Sequence, residues 1–388
     1  MTPAARTQAA IELLDAIIAA ARDHGPAADT LIGRYFAVRR YAGSKDRRAV
    51  RALVYAAVRA AGERPESGRA ALLLLAKADP AVAATFDGSP HGPAAIAPGE
   101  RIATAGVAPA WLAELLAASG IDTAGQHALI DRAPLDVRVN TLLADPAAVA
   151  TEIGGRPIAG LSAALRLPAG TDIAPVLGRV EVQDAGSQLV TLAVDARPGQ
   201  TVVDLCAGAG GKSLALAAAM VNDGRIVACD TDRGRLSRLP MRAQKADARI
   251  IETLLLDPDR EREALAGWQG RADAVLVDAP CSGTGTWRRN PEARWRLNAD
   301  RLARFAATQA RLLDIAAPLL RSGGALVYVV CSLLDVEGAD QAAAFAARSG
   351  WAAEQVDLSA GCAHGAGWRL DPAHDDTDGF FVARFRAP

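Results

Sequence analysis

Two cysteines stand where chemistry is easiest to arrange. Cys281 lies in Asp278-Ala279-Pro280-Cys281-Ser282-Gly283-Thr284-Gly285, and Cys331 in Val330-Cys331-Ser332. Each follows a run of apolar residues, at the point where a strand gives way to a loop. A lone cysteine in an apolar setting is usually a small buried residue. Here both are followed by serine, which favours a reactive role. A thiol with a pKa near about 8.5 already carries some thiolate at neutral pH, and a nearby cation increases that fraction. The sequence also offers a cation, Lys212, after a glycine-rich stretch, and an acid, Asp278, three residues before Cys281. A nucleophile, a second thiol, an acid and a cation suit addition to an electron-poor carbon.

These residues need a scaffold that brings them together. From about Val180 onward, apolar strands alternate with amphipathic helices. Thr201–Leu205, Gly224–Asp230, Leu254–Leu256, Ala274–Asp278 and Ala325–Val330 read as strands, and Lys212–Val221 as a helix. Continuously apolar strands separated by helices indicate a parallel sheet covered on both faces. The expected class is therefore α/β, a doubly wound Rossmann-like sheet with ligands at the carboxyl ends of its strands. After the first of these strands comes Cys206-Ala207-Gly208-Ala209-Gly210-Gly211-Lys212-Ser213. It is not a P-loop, because the first glycine of that motif would fall on Cys206. It is not a dinucleotide fingerprint, because the last glycine would fall on Ser213. A glycine loop without phosphate-binding spacing fits a cofactor that has no phosphate, of which S-adenosyl-L-methionine is the common one. Asp230 closes the second strand, placed to accept hydrogen bonds from both ribose hydroxyls. Asp257 follows the third, placed to meet an adenine edge. Each aspartate alone reads equally as a cap or turn residue. Together with Asp278, at successive strand ends, they read as a site.

A methyl-donating cofactor beside two thiols suggests one reaction in particular. Carbon 5 of cytosine is too electron-poor to attack a methyl sulfonium. Addition of a thiolate to carbon 6, with protonation at ring nitrogen 3, makes carbon 5 an enamine carbon. That carbon takes the methyl, and loss of its proton expels the thiolate. Asp278, kept protonated by a dry site or a shared proton, is the expected acid, and Lys212 the source of a positive field. At these residues the chain resembles the Nol/Nop/Sun family of RNA (cytosine-5) methyltransferases. The matching segments are D-L-C-A-G-A-G-G-K, D-A-P-C-S-G-T-G, R-R-N-P-E at Arg288–Glu292, Cys331-Ser332 after Val327-Tyr328, and D-G-F-F at Asp378–Phe381. Upstream, Arg138-Val139-Asn140-Thr141 and Gln183-Asp184-Ala185-Gly186-Ser187-Gln188 match as well. The resemblance implies Cys331 as nucleophile and Cys281 as the group that assists product release. It implies binding of S-adenosyl-L-methionine by Cys206 to Lys212, Asp230, Asp257 and Asp278, with no metal. Gly208-Ala209 replaces the family's usual Ala-Pro and is expected to loosen the loop. Val330 replaces a threonine and removes a hydroxyl beside the nucleophile.

The N-terminal part reads as helices from about Thr7 to Leu75, with a linker at Asp87–Pro93 and a further helix from about Glu100 to Ser119. The short stretch that follows has a β-α-β character, with a strand at Val137–Leu142 and a helix at Asp145–Ile153. The expected domains are 1–95, helical; 96–179, a helical linker and small α+β region; and 180–388, catalytic. Net charge is -1, so overall charge is silent about partners. Its distribution is not. Arg34, Arg39, Arg40, Lys45, Arg47, Arg48, Arg51, Arg59 and Arg64 face only Asp46 and Glu63 in that interval, a face suited to a phosphate backbone. Arg39–Val50 is similar to the NusB-like domain that precedes the catalytic part in some members of the family. That resemblance implies an RNA partner, 16S ribosomal RNA of the small subunit, and a monomer. Five widely spaced cysteines without a C-x-x-C pair, no signal peptide and no membrane-length apolar run suggest a cytoplasmic protein. Two other readings compete: a catalytically silent RNA-binding assembly factor, and a methyltransferase of the same fold with another substrate. The intact Cys281, Cys331, Asp278 and Lys212 argue against the first, and Asp-Ala-Pro-Cys in place of Asp-Pro-Pro-Tyr argues against amino-group methylation.

Overall fold

The computed structural model describes residues 1–23 and 25–388. The chain divides into two compact units: Met1–Arg132 with Thr286–Ala299, and Ala133–Gly285 with Asp300–Pro388. No helix among the described residues is long and apolar enough to cross a membrane.

The first unit is helical. Its main helices are α1 (Pro3–Arg22), α2 (Ala28–Ala37), α3 (Ser44–Ala60) and α4 (Gly68–Ala78). Leu13, Leu14 and Ile17 of α1, Val50, Val54 and Val58 of α3, and Leu72 and Leu73 of α4 form one buried core. Their spacing of three and four is what puts them on one face. The helix expected over Glu100–Ser119 is shorter, Ala110–Ala118. Gly106, at a positive φ, and Pro109 keep the preceding residues out of helical geometry.

The segment Thr286–Ala299 joins this helical unit although it lies far along the sequence. Its 3-10 turn, Pro291–Arg296, explains how. Glu292 Oε1 accepts from the Ala28 amide at 3.0 Å, at the amino end of α2. Arg294 is fully buried and donates to the carbonyls of Val58 (2.6 Å) and Ala61 (2.9 Å), at the carboxyl end of α3. An acid at a helix start and a cation at a helix end both match the local backbone charge. Burial lowers the Arg294 guanidinium to about 9.

The second unit holds two sheets. Four strands, β1 (Leu135–Val139), β2 (Arg156–Ile158), β3 (Leu161–Leu167) and β4 (Val180–Val182), form a small sheet in the order β2-β3-β1-β4. All its pairings are antiparallel. Asp145 caps the helix Pro146–Ile153, as its Asp-Pro start suggests. The large sheet comprises β5 (Thr201–Asp204), β6 (Arg225–Asp230), β7 (Ile251–Leu255), β8 (Ala272–Asp278), β9 (Leu320–Val330), β10 (Ala353–Glu354), β11 (Cys362–His364), β12 (Gly367–Leu370) and β13 (Phe380–Arg386). Its order is β11-β12-β13-β9-β8-β5-β6-β7, with β10 on β13. The five strands β5 to β9 are mutually parallel, and β13 extends them antiparallel. Alternate residues face opposite layers: Val202, Leu276 and Val327 enter one core, and Val203, Val275 and Leu326 the other. Helix Gly211–Ala219 covers the first face, and helices Ala299–Ala316 and Ala339–Ser349 the second.

Candidate functional site

The carboxyl ends of β5, β6, β8 and β9 surround a cavity of about 450 Å³. Its walls include Cys206, Asp230, Arg235, Asp278, Cys281 and Cys331. Of the sequence-expected residues the cavity gathers Cys206, Asp230, Asp278, Cys281 and Cys331 from four strand ends, while Lys212 and Ala207–Gly211 lie off its wall. Asp257 is not among the lining residues: it is exposed, and its carbonyl closes a turn by accepting from the Arg260 amide. Strand β7 ends at Leu255, before the residue expected to carry the aspartate to the site, and the cavity wall is formed by Leu256 instead.

The glycine loop is built around Asp230. One carboxylate oxygen of Asp230 accepts from the Gly208 amide at 2.6 Å and the other from the Asp232 amide at 2.7 Å. Each oxygen retains a lone pair for a further donor. Gly208 has a φ of +57°, and a Cβ there would stand 2.4 Å from the Arg235 guanidinium. The left-handed backbone conformation favours glycine, whereas the Arg235 guanidinium, at the end of a flexible side chain, can move aside. Asp204, the last residue of β5, is 1% exposed; one oxygen accepts from Ser213 Oγ at 2.6 Å and the other has no partner. Burial pushes its carboxyl up to about 7, against the pull of the Ser213 hydroxyl.

Two pairs form the chemical centre. The Cys281 and Cys331 sulfurs are 3.4 Å apart. The Cys281 thiol is pushed well up by its hydrogen bond to Cys331 and by burial, so it keeps its proton and can donate it to Cys331. Lys212 Nζ donates to Asp278 Oδ2 at 2.6 Å. Burial alone lowers the Lys212 ammonium, but Asp278, Cys331 and Asp204 outweigh it and hold it above its ordinary value. The sequence leads to an acid at Asp278 kept protonated by a dry site or a shared proton, and the structure sets the Lys212 ammonium against that acid.

Several site residues carry no sequence signal. Glu337 is fully buried six residues past Cys331. It accepts from the Ser282 amide (2.8 Å), the Ser282 hydroxyl, the Ser332 hydroxyl (2.6 Å) and Gln309 Nε2 (3.1 Å). One carboxylate thereby ties the residue after Cys281 to the residue after Cys331. Arg311 and the buried Glu261, 2.8 Å apart, form a charged part of the cavity wall. Gly285 and Gly379 pass backbone against backbone: a Cβ on Gly285 would lie 2.1 Å from the Gly379 carbonyl oxygen. The Gly285 amide donates to the Cys331 carbonyl at 3.1 Å, so this close approach fixes the turn that carries Cys331. The upstream motifs are structural ties. Arg138 donates to Gln183 at 2.8 Å, Asn140 reaches the Ala246 carbonyl, and Asp184 caps helix Ala185–Leu192 while accepting from the Asp378 amide.

Sequence relatives point to one family, and solved structures share the fold. Residues 191–386 match the family model described as 16S rRNA methyltransferase RsmB/F. The ribosomal RNA small subunit methyltransferase B of Xanthomonas campestris is 34% identical over 289 residues, covering 71% of this chain and 65% of that protein. The Thermus thermophilus protein of the same name is 39% identical over 210 residues, covering 53% and 50%. The chain thus spans less than two thirds of the length of these relatives. Among solved structures, that of PH0851 superimposes with a TM-score of 0.77 over 99% of both chains at 23% identity. That of NSun6 from Pyrococcus horikoshii superimposes with a TM-score of 0.63 over 70% of this chain and 97% of its own, at 18% identity. At these identities the two structures speak for the fold.

Proposed function

The chain belongs to the 16S rRNA methyltransferase RsmB/F family, and on that premise we propose that it methylates carbon 5 of a cytosine in small-subunit ribosomal RNA, with Cys331 as the covalent nucleophile. The observation that carries this reading is the pair of thiols 3.4 Å apart, opening into the same cavity as Asp278 and Asp230.

The residues present fit S-adenosyl-L-methionine. Asp230 keeps lone pairs facing a cavity with no phosphate-binding loop. Asp230, Cys206, the Gly208–Gly211 backbone and Asp278 would hold it. When bound it supplies an electrophilic methyl group. The remaining chemistry falls to the protein. Cys331 forms a bond to carbon 6 of cytosine while a proton is delivered to ring nitrogen 3, so that the ring's electrons move to carbon 5. That proton comes from the Lys212–Asp278 pair at the ring edge and returns to it when nitrogen 3 is freed again in the methylated product. After methylation, loss of the carbon 5 proton to a base restores the ring's double bond and expels Cys331 as thiolate. Cys281, which keeps its proton, hydrogen-bonds the departing thiolate across the 3.4 Å contact and so assists release of the product.

The test is methyl transfer from labelled S-adenosyl-L-methionine to unmodified small-subunit ribosomal RNA, followed by digestion to nucleosides, with DNA and protein as parallel acceptors. Label in 5-methylcytidine is the expected result. Label only in DNA or protein would overturn the substrate while leaving family and fold intact. Cofactor binding without transfer to any acceptor, including partly assembled subunits, would favour a silent RNA-binding protein.

A further inference from the structure

Within the helical unit, a second concavity of about 310 Å³ is lined by Arg48, Arg51, Tyr55, Arg59, Arg132 and Arg289. Five guanidinium groups meet there from three separate stretches of chain: α3, the last residue of the N-terminal part, and the Thr286–Ala299 segment. For Arg48, Arg59 and Arg132 the compensation is meagre. Asp29 pairs with Arg51 at 2.6 Å, and Asp131 and Glu292 act on Arg59 from a distance. Arg48 and Arg132 are exposed and have neither an ion-pair nor a hydrogen-bond partner among the described residues. Arg59 Nε is buried with no partner. Burial and the charge of Arg132 both lower the Arg59 guanidinium, a sign that the cluster repels itself.

A cluster of this kind is held by a rigid centre. The Tyr55 ring has guanidinium groups of Arg51 and Arg59 5.4 and 5.5 Å from its centroid, and its hydroxyl donates to Asp29. Aromatic contact and the Asp29 anchor fix two of the arginines before any ligand arrives. The fixed guanidinium planes, with an unpartnered N–H among them, suit the tetrahedral oxygens of a phosphate. An anion would relieve the mutual repulsion that the protein alone leaves in place.

We infer that this five-arginine concavity is a docking site for a backbone phosphate of the RNA, separate from the methyl-transfer cavity and reading charge, not sequence. This inference rests on the reading of the chain as an RNA methyltransferase and adds where the helical unit grips the strand. It also narrows the basic face seen in the sequence. Of the arginines between Arg34 and Arg64, only Arg48, Arg51 and Arg59 line the concavity, and Arg132 and Arg289 join them from outside that interval.

The test compares the wild-type chain with Arg48→Glu/Arg132→Glu and with Arg48→Lys/Arg132→Lys. Binding to a small-subunit ribosomal RNA fragment is measured by fluorescence anisotropy over a salt series, alongside methyl transfer. Both positions are exposed, so the fold is expected to survive, which circular dichroism checks. The charge-reversed variant should bind about tenfold or more weakly near 0.15 M salt. Its log K against log salt should be shallower by about one unit per lost phosphate contact. A scrambled RNA should suffer the same loss, KM for RNA should rise by a similar factor, and the lysine variant should recover most of the binding. Unchanged affinity and salt slope in the glutamate variant, with wild-type methyl transfer intact, would overturn this site alone. A wild-type chain that neither binds nor methylates RNA would overturn the functional reading beneath it.

Discussion

Glu337 offers the sharpest quantitative check on how the two cysteines are held. Replacing it with alanine removes the acceptor for four donors. The Ser282 and Ser332 hydroxyls can turn to one another, 3.2 Å apart, and Ser332 can turn to Thr284 at 3.1 Å. The Ser282 amide has no such alternative, and Gln309 keeps only its bond to the Pro280 carbonyl. Two buried N–H groups are then left unpaired, each costing about 1–3 kcal/mol. With the cavity left by the side chain, the loss of stability should be about 3–5 kcal/mol. Glutamine should behave differently. Oε1 serves the two N–H donors and Oε2 the two hydroxyls, so an amide oxygen can keep the former while its NH2 group donates to the latter. Glu337→Gln should therefore lose only about 1 kcal/mol. The assay is urea unfolding of both variants together with methyl transfer below their melting range. Loosening both cysteine turns by about 1 Å should cost Glu337→Ala on the order of 100-fold in kcat, with KM for S-adenosyl-L-methionine little changed. A wild-type kcat in Glu337→Ala, or equal damage in the two variants, would refute the argument.

Four further outcomes follow from the same geometry. Cys331→Ala should abolish methyl transfer while leaving RNA binding intact, measured by filter binding beside the transfer assay. Cys281→Ala should accumulate a covalent protein–RNA adduct, visible as a band shift that survives denaturing electrophoresis; free turnover by this variant would contradict the release role. Asp204 is pushed up to about 7 by burial, so between about pH 4 and 7 the folded chain keeps a proton that the unfolded chain has lost, and stability falls as pH rises through that window. Asp204→Asn should flatten the fall in Tm across that range. Gly285→Ala forces a Cβ into the Gly379 carbonyl, and should lower both Tm and kcat because the displaced backbone carries the Cys331 turn; a wild-type Tm would show that the two strands separate freely.

The sequence exposes whatever obeys a local period, and hides whatever depends on a distant partner. The five parallel strands are legible because each is a short apolar run between helices, and their ends are legible because polar residues stop each run. Asp230, Asp278, Cys281 and Cys331 can thus be assigned to one cavity from the strand pattern alone. Asp257 shares their position in that pattern, yet β7 stops at Leu255 and the aspartate is exposed, off the cavity wall. A period of two says which side a strand residue faces, but nothing about the turn that follows. The tie at Glu337 is hidden for a different reason. Its partners lie at 282, 309 and 332, and a glutamate in an alanine-rich surrounding looks like surface. The partition of the chain is hidden in the same way. The small sheet that ends at Val182 shares a compact unit with the large one, and Thr286–Ala299 leaves the strand-and-helix pattern to join helices near the amino terminus. What holds that segment is Glu292 at a helix start and Arg294 at a helix end, buried charges whose partners are more than two hundred residues away. R-R-N-P-E at Arg288–Glu292 marks the segment in the sequence without saying what its charges do. Glu292 and the nearby Arg294 serve the architecture, and it is Arg289, ahead of them, that meets Arg48, Arg51 and Arg59 at the concavity.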